Sequence, residues 1–91
     1  MTVTDILVKA RSLLENERSW GKGIGRFDTG QLCAFDALTS ARCDQEPIAM
    51  MAFKRAANLS KDQAICDWND APERTHAEVL AAFDKAIEWN L

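Results

Sequence analysis

The last third of the chain is organised by one segment, Trp68-Asn69-Asp70-Ala71-Pro72-Glu73-Arg74-Thr75-His76-Ala77-Glu78-Val79-Leu80. Its first half favours a turn, because the side chains of Asn69 and Asp70 can hydrogen-bond to nearby backbone. Its second half fits a capping box, in which Thr75 and Glu78 each bond the other's backbone amide. The segment therefore predicts a turn followed by a helix that begins at His76.

Trp68 follows an apolar run and precedes this turn. We expect its ring to be buried and its indole nitrogen to be hydrogen-bonded, so that it anchors a connection with few other backbone partners. The alternative is an exposed tryptophan that anchors a protein partner, because tryptophan is enriched at interaction hot spots. We assign a structural role to the whole motif: Trp68, Asn69, Asp70, Arg74, Thr75 and Glu78.

Length and composition predict one small domain over residues 1–91. Hydrophobic residues make up 47% and charged residues 27% of the chain, as in ordinary globular proteins that bury one core. No apolar run reaches the ~20 residues of a membrane span, and no basic segment leads into an apolar one at the N-terminus. We therefore expect a soluble, cytoplasmic protein without membrane contact.

Apolar residues recur every three or four positions along most of the chain, which indicates helices. The predicted helices lie near residues 4–18, 31–42, 47–59 and 76–90. The sequence thus predicts an all-α bundle of about four helices, with a glycine-rich loop after the first. Residues 60–68 leave two alternatives open: a single helical turn that ends before Trp68, or an extended segment over 64–68.

The third predicted helix carries apolar residues around much of its circumference, including Met50, Met51 and Phe53. We place Ile48, Met51, Ala52 and Ala56 inward, with Lys54 and Arg55 outward. Phe53 lies outside this inward stripe, so the helix is apolar around much of its circumference. A helix that is apolar all round must be covered, and methionines at such spacing usually belong to a core or a subunit interface. In the second and last helices we expect the inward stripes Leu32, Phe35 and Leu38, and Val79, Leu80, Phe83 and Ile87.

The loop after the first helix holds every glycine of the chain: Gly21, Gly23, Gly25 and Gly30. Three basic residues, Arg18, Lys22 and Arg26, flank or interrupt these glycines and suggest a site for an anion or nucleotide. A dinucleotide-binding loop, however, follows a strand, whereas a helix precedes this one. A surface loop is therefore the preferred interpretation, and anion binding is an alternative.

The three cysteines, Cys33, Cys43 and Cys66, are odd in number and widely spaced, which does not fit a disulfide framework. With His76 they lack the close ligand pairs of structural zinc sites, so we expect no metal and no cofactor. A thiol hydrolase is conceivable, with Cys33 near a helix start as a nucleophile of lowered pKa and His76 as the base. Asn69 or Asp70 would then orient the histidine. A histidine in the first turn of a helix is, however, more often solvated than catalytic.

Residues 61–91 carry three basic and seven acidic groups, an imbalance that argues against nucleic-acid binding. The acidic final third, the apolar third helix and tryptophans that are candidates for exposure favour a non-enzymatic interaction module instead. Aromatic residues are enriched at protein interfaces. We expect a protein partner or a homodimer.

The segment Trp68-Asn69-Asp70, followed by Arg74-Thr75-His76-Ala77-Glu78-Val79-Leu80, resembles the C-terminal signature of a family of short bacterial and phage proteins. Earlier positions are similar too, including a tryptophan after the first helix and Cys33-Ala34 at the start of the second. The chain differs at Glu73, where members often have glycine, and at Asp36, where they have a small residue. The family is classed as a domain of unknown function, so the resemblance implies a small helical fold and no activity.

Overall fold

The computed structural model describes residues 2–22, 30–60 and 62–90. Within these ranges the chain forms helices and no strand, as predicted, apart from a single backbone bridge between Trp20 and Leu32. The helices are α1 (Val3–Leu14), α2 (Ala34–Thr39), α3 (Glu46–Ala56), α4 (Ile65–Asn69) and α5 (His76–Trp89), with a 3₁₀ turn at Glu17–Ser19 after α1.

Two long helices begin at capping boxes. The predicted box of Thr75 and Glu78 is confirmed at the start of α5, and Thr2 forms a second one with Asp5 at the start of α1. Each box satisfies amides that have no partner within the first helical turn. The first helix is shorter than predicted because Asn16 accepts a hydrogen bond from the Arg18 amide and starts the 3₁₀ turn.

The core forms where α1, α3 and α5 pack together, with α2 against α1 and α3. Phe53 of α3 lies at its centre, with its ring centroid 4.6 Å from that of Phe83 and 5.5 Å from that of Trp68. The edge-to-face contact with Trp68 is a favourable aromatic geometry, because the positive ring edge meets the negative ring face. Phe53 therefore fixes which side of α3 turns inward.

The predicted inward face of α3 is wrong at two positions. Ala49, Phe53 and Ala56 are buried, whereas Ile48 is 51% exposed and Met51 is 64% exposed. The periodicity did not distinguish two apolar stripes on one helix, and the large ring of Phe53 has partners in the core that Met51 lacks. One apolar side of α3 is therefore left on the surface.

The second helix begins three residues later than predicted, at Ala34. The Leu32 amide donates to the Ser19 carbonyl and the Gly21 amide to the Leu32 carbonyl, so Leu32 is held in the bridge and not in a helix. The inward side chains are those of Ala34, Ala37 and Leu38, and Phe35 is exposed. In the last helix Val79 and Phe83 are buried as predicted, while Leu80 and Ile87 are half-buried beside Ala82 and Ala86.

The open question at residues 60–68 is resolved by α4. This short helix begins at Ile65 and continues through Trp68 to Asn69, so it neither ends before the tryptophan nor is extended. Ala64, which precedes it, has no capping side chain. Across the described part of the chain, no helix is long and apolar enough to cross a membrane.

Candidate functional site

Asn69, the last residue of α4, is completely buried and uses its side-chain amide fully. Its Oδ1 accepts hydrogen bonds from the indole Nε1 of Trp20 at 2.7 Å and from the backbone amide of Ala34 at 3.1 Å. Its Nδ2 donates to the carbonyl of Gly21 and to Oδ1 of Asp70, both at 3.0 Å. A buried amide with four partners is stabilising, because no polar atom is left without a bond.

These bonds join segments that are far apart in sequence. Ala34 is the first residue of α2, so Asn69 satisfies a helix-start amide that has no partner inside its own helix. Trp20 and Gly21 belong to the chain that leaves α1. A Cβ at Gly21 would lie 2.8 Å from Gln31 Oε1 and 3.0 Å from Gln31 Cβ, so a larger residue at this position would force the Gln31 side chain to shift.

Trp68 is buried, as predicted, and its ring packs against Phe53. Its other side is covered by Arg74, whose guanidinium carbon lies 4.1 Å from the ring centroid. Arg74 Nε also donates to the Trp68 carbonyl at 2.9 Å, and its Nη1 pairs with Glu78. The expected hydrogen bond to the indole nitrogen is not found among the described residues, and a stacked cation lies against the ring instead.

His76 is half-buried, which corrects the expectation of a solvated ring. Its Nε2 lies 2.6 Å from the Leu14 carbonyl, and its ring centroid is 5.9 Å from that of Trp20. The Leu14 carbonyl belongs to the end of α1, where carbonyls have no helical partner. His76 therefore caps α1 from the start of α5.

Cys33 lies near a helix start, as predicted, but it precedes α2 and is not part of it, and its pKa is shifted in the opposite direction from our expectation. Burial raises the pKa of its thiol to about 11, and the nearby Asp36 carboxylate and Cys66 thiol add to the increase. A backbone hydrogen bond at Asp36 acts in the opposite direction but does not offset this loss of hydration. A buried thiol of raised pKa is a poor nucleophile, because the thiolate is the reactive form.

The remaining hydrolase candidates are occupied elsewhere. The side-chain amide of Asn69 bonds Trp20, Gly21, Ala34 and Asp70, and none of these bonds reaches the histidine. Asp70 is exposed and accepts from Asn69. Among the described residues, no three or more histidine, cysteine or acidic side chains come together as a metal site would require.

The basic residues proposed for anion binding do not form a described cluster. Lys22 Nζ donates to the Ala71 carbonyl at 2.8 Å and to the Pro72 carbonyl at 3.3 Å, and it lies 5.6 Å from the Trp20 ring centroid. Its charge therefore helps to hold the turn after α4. Arg18 is exposed in the 3₁₀ turn, and Arg26 lies outside the described residues.

An exposed apolar surface lies between α3 and α5. Ile48 and Met51 on α3 and Trp89 on α5 are all more than half exposed. They line a groove of about 240 Å³, which is completed by Ala52, Arg55 and Asn90. We call this surface the α3–α5 face. The signal for it was the apolar circumference of α3, which the sequence analysis linked to a core or a subunit interface while placing Ile48 and Met51 inward.

The fold and the site together define a small all-α protein. Its most distinctive motif, residues 68–78, makes structural contacts within the fold. The chain belongs to the family of unknown function DUF6197, whose model matches residues 1–88. This confirms the resemblance to a domain of unknown function. No characterised protein and no solved structure gives a significant match.

Proposed function

We propose that this protein is a non-enzymatic interaction module that binds a protein partner through the α3–α5 face. The observation that carries the proposal is the grouping of Ile48, Met51 and Trp89, each more than half exposed, around one groove. Single exposed apolar side chains are normal, but adjacent large ones around a concavity mark interaction sites. The free thiols Cys33, Cys43 and Cys66 further support a reducing, cytoplasmic location.

The chemistry of the face suits a protein partner. Tryptophan supplies a large, rigid contact area, and methionine adapts its shape to an irregular partner. Lys85 Nζ lies 4.8 Å from the Trp89 ring centroid, and Arg55 lines the groove. The apolar centre is thus bordered by cations, as in interfaces with a dry core and a polar rim.

The thiol-hydrolase alternative receives no support from a specific observation, so we do not propose it. Cys33 is buried with a raised pKa, and His76 Nε2 is engaged by the Leu14 carbonyl. The anion-binding alternative lacks support for a similar reason, because the Lys22 ammonium already binds two backbone carbonyls.

A photo-cross-linking amino acid placed at position 51 tests the proposal. Position 8 is the matched control, because Val8 is also apolar and 49% exposed but lies on α1, outside the face. In cells of the organism that encodes the protein, we expect defined protein adducts from position 51 and none from position 8.

A second substitution checks that the adducts depend on the whole face. Trp89→Ala should leave the melting temperature nearly unchanged, because the ring is 53% exposed, and should remove the position-51 adducts. The same adduct pattern from positions 51 and 8, or adducts that persist in Trp89→Ala, would contradict the proposed function.

A further inference from the structure

We propose that the occupant of the α3–α5 face is a second copy of this chain, with the two α3 helices antiparallel and crossing near Met51. This inference rests on the proposed interaction function and adds the identity of the partner. It follows from the order of charged and apolar side chains along the outer side of α3.

The outer side of α3 changes character along its length. Asp44 lies just before the helix, Ile48 and Met51 form the exposed apolar centre, and Arg55 lies in the last turn. Ile48, Met51 and Arg55 follow one another at intervals of three or four, so they share one helical face, and Asp44 lies in the turn that leads into the helix. The stripe is therefore acidic at one end, apolar in the middle and basic at the other end.

A twofold axis at Met51 makes this stripe complementary to itself. Pro47 and Arg55 are each four residues from Met51, so an antiparallel pair places Arg55 of one copy beside Pro47 of the other. Asp44 of the second copy precedes that proline by three residues, in the turn that leads into the helix, a separation of roughly one helical turn that an arginine side chain spans. A parallel pair would instead place Arg55 against Arg55.

The two charges are available for such a contact. Within the described part of the chain, the side chains of Asp44 and Arg55 make no hydrogen bond or ion pair. Antiparallel pairing also brings the positive start of one helix near the negative end of the other, which is favourable. An isologous contact of this kind occurs twice in one dimer.

The groove beside α3 provides the apolar part of the interface. It lies between Ile48 and Met51 on one side and Trp89 on the other, and it has a volume of about 240 Å³. In the antiparallel pair each copy presents its Met51 and Ile48 toward the groove of the other. A contact built on one helix pair is at the small end of specific interfaces, so we expect micromolar dissociation constants.

Charge reversal in separate chains tests the geometry. In an Arg55→Glu dimer both end contacts become acid against acid, and in an Asp44→Arg dimer both become base against base. Each variant alone should dimerise at least tenfold more weakly than the wild type by analytical ultracentrifugation. An equimolar mixture should form a heterodimer again. The acid at position 55 of one chain then faces the base at position 44 of the other, and the second contact is the unaltered pair of Arg55 and Asp44.

Lys9→Glu is the matched control, since it reverses an exposed cation on α1 and should leave dimerisation unchanged. Circular dichroism checks that every variant keeps its helices. The proposal is overturned if the wild type stays monomeric up to about 1 mM, a limit that corresponds to ~4 kcal/mol of binding free energy. It is also overturned if the single reversals dimerise normally or the mixture does not associate.

The two proposals fail in distinguishable ways. The wild type could be monomeric and still give Trp89-dependent adducts with another protein at position 51. That result would contradict the dimer and support the interaction module. A monomer without face-specific adducts contradicts both proposals. A dimer that forms normally in the charge-reversal variants uses another surface and contradicts this inference.

Discussion

At the scale of single residues, Asn69 connects more of the fold than its predicted place in a turn suggests. The sequence indicated a turn former or an orienting group for His76. The structure shows a buried amide that binds groups from three other places in the fold. Its partners Trp20 and Ala34 are 49 and 35 residues away, a separation that no local pattern reveals.

Replacing Asn69 with alanine should lower the free energy of unfolding by about 3–4 kcal/mol, because several buried partners lose their bonds at once. Asn69→Asp should also destabilise the protein, since a carboxylate cannot donate to the Gly21 carbonyl. Urea unfolding followed by circular dichroism measures both. Gln63→Ala truncates an exposed amide and should change stability by less than about 0.5 kcal/mol. Equal effects at positions 69 and 63 would show that the buried network is not stabilising.

At the scale of elements, the cap of α5 was predictable and the orientation of α3 was not. Thr75 and Glu78 are three residues apart, so their capping box is a local property and was predicted correctly. The inward face of α3 depends on which apolar side chain finds partners elsewhere in the molecule. The Phe53 ring packs against Phe83 and Trp68, and Met51 has no such partners among the residues that the structure describes. Because these contacts are not visible in the sequence, the sequence analysis placed the exposed Met51 in the core.

The Glu78 cap makes the stability of α5 depend on pH. Hydrogen bonds from the Thr75 amide and hydroxyl and the charge of Arg74 lower the pKa of Glu78 below 4.5. A group with a lowered folded-state pKa stabilises the protein above its unfolded pKa, and this stabilisation is lost as the pH falls through the folded value. Melting temperatures should therefore fall below about pH 4.5, and part of this fall should be absent in Glu78→Gln.

Glu73→Gln is the control for this pH experiment, because it removes an exposed carboxylate shortly before the helix that forms no cap. Its acid-induced loss of stability should follow that of the wild type. An identical acid profile for Glu78→Gln and the wild type would contradict a stabilising cap.

At the scale of the whole molecule, the helices are held together both by the core and by ties near its edge. The Thr4 hydroxyl donates to the Asn90 carbonyl at 2.9 Å, and Arg11 pairs with Asp84, so α1 and α5 are joined twice. His76 adds a third tie at the opposite end through the Leu14 carbonyl. The sequence predicted an all-α fold and the places of the three long helices, but the predicted helix over 31–42 is only six residues long, and these ties depend on positions that only the folded chain brings together.

The three thiols should report how cooperatively this assembly opens. Cys33 is buried, whereas Cys43 and Cys66 are half-buried. In native protein at pH 8, labelling with a thiol reagent should be slower at Cys33 by nearly four orders of magnitude, because it requires global unfolding worth ~5 kcal/mol. Mass spectrometry of peptides measures each site. Comparable rates at all three cysteines would show that the region around α2 opens locally.

The hydrogen bonds around Gly21 and Leu32 make the segment between these residues a suitable place for inserting a peptide. Both residues are held to neighbouring backbone, and Asn69 bonds Trp20, Gly21 and Ala34, so the chain before residue 22 and the chain after residue 30 are anchored to one network. When the two ends of a flexible chain segment are fixed, doubling the length of the segment raises the entropic cost of closing it by only ~0.6 kcal/mol. A foreign peptide inserted there would be displayed on a helical scaffold whose framework residues remain untouched.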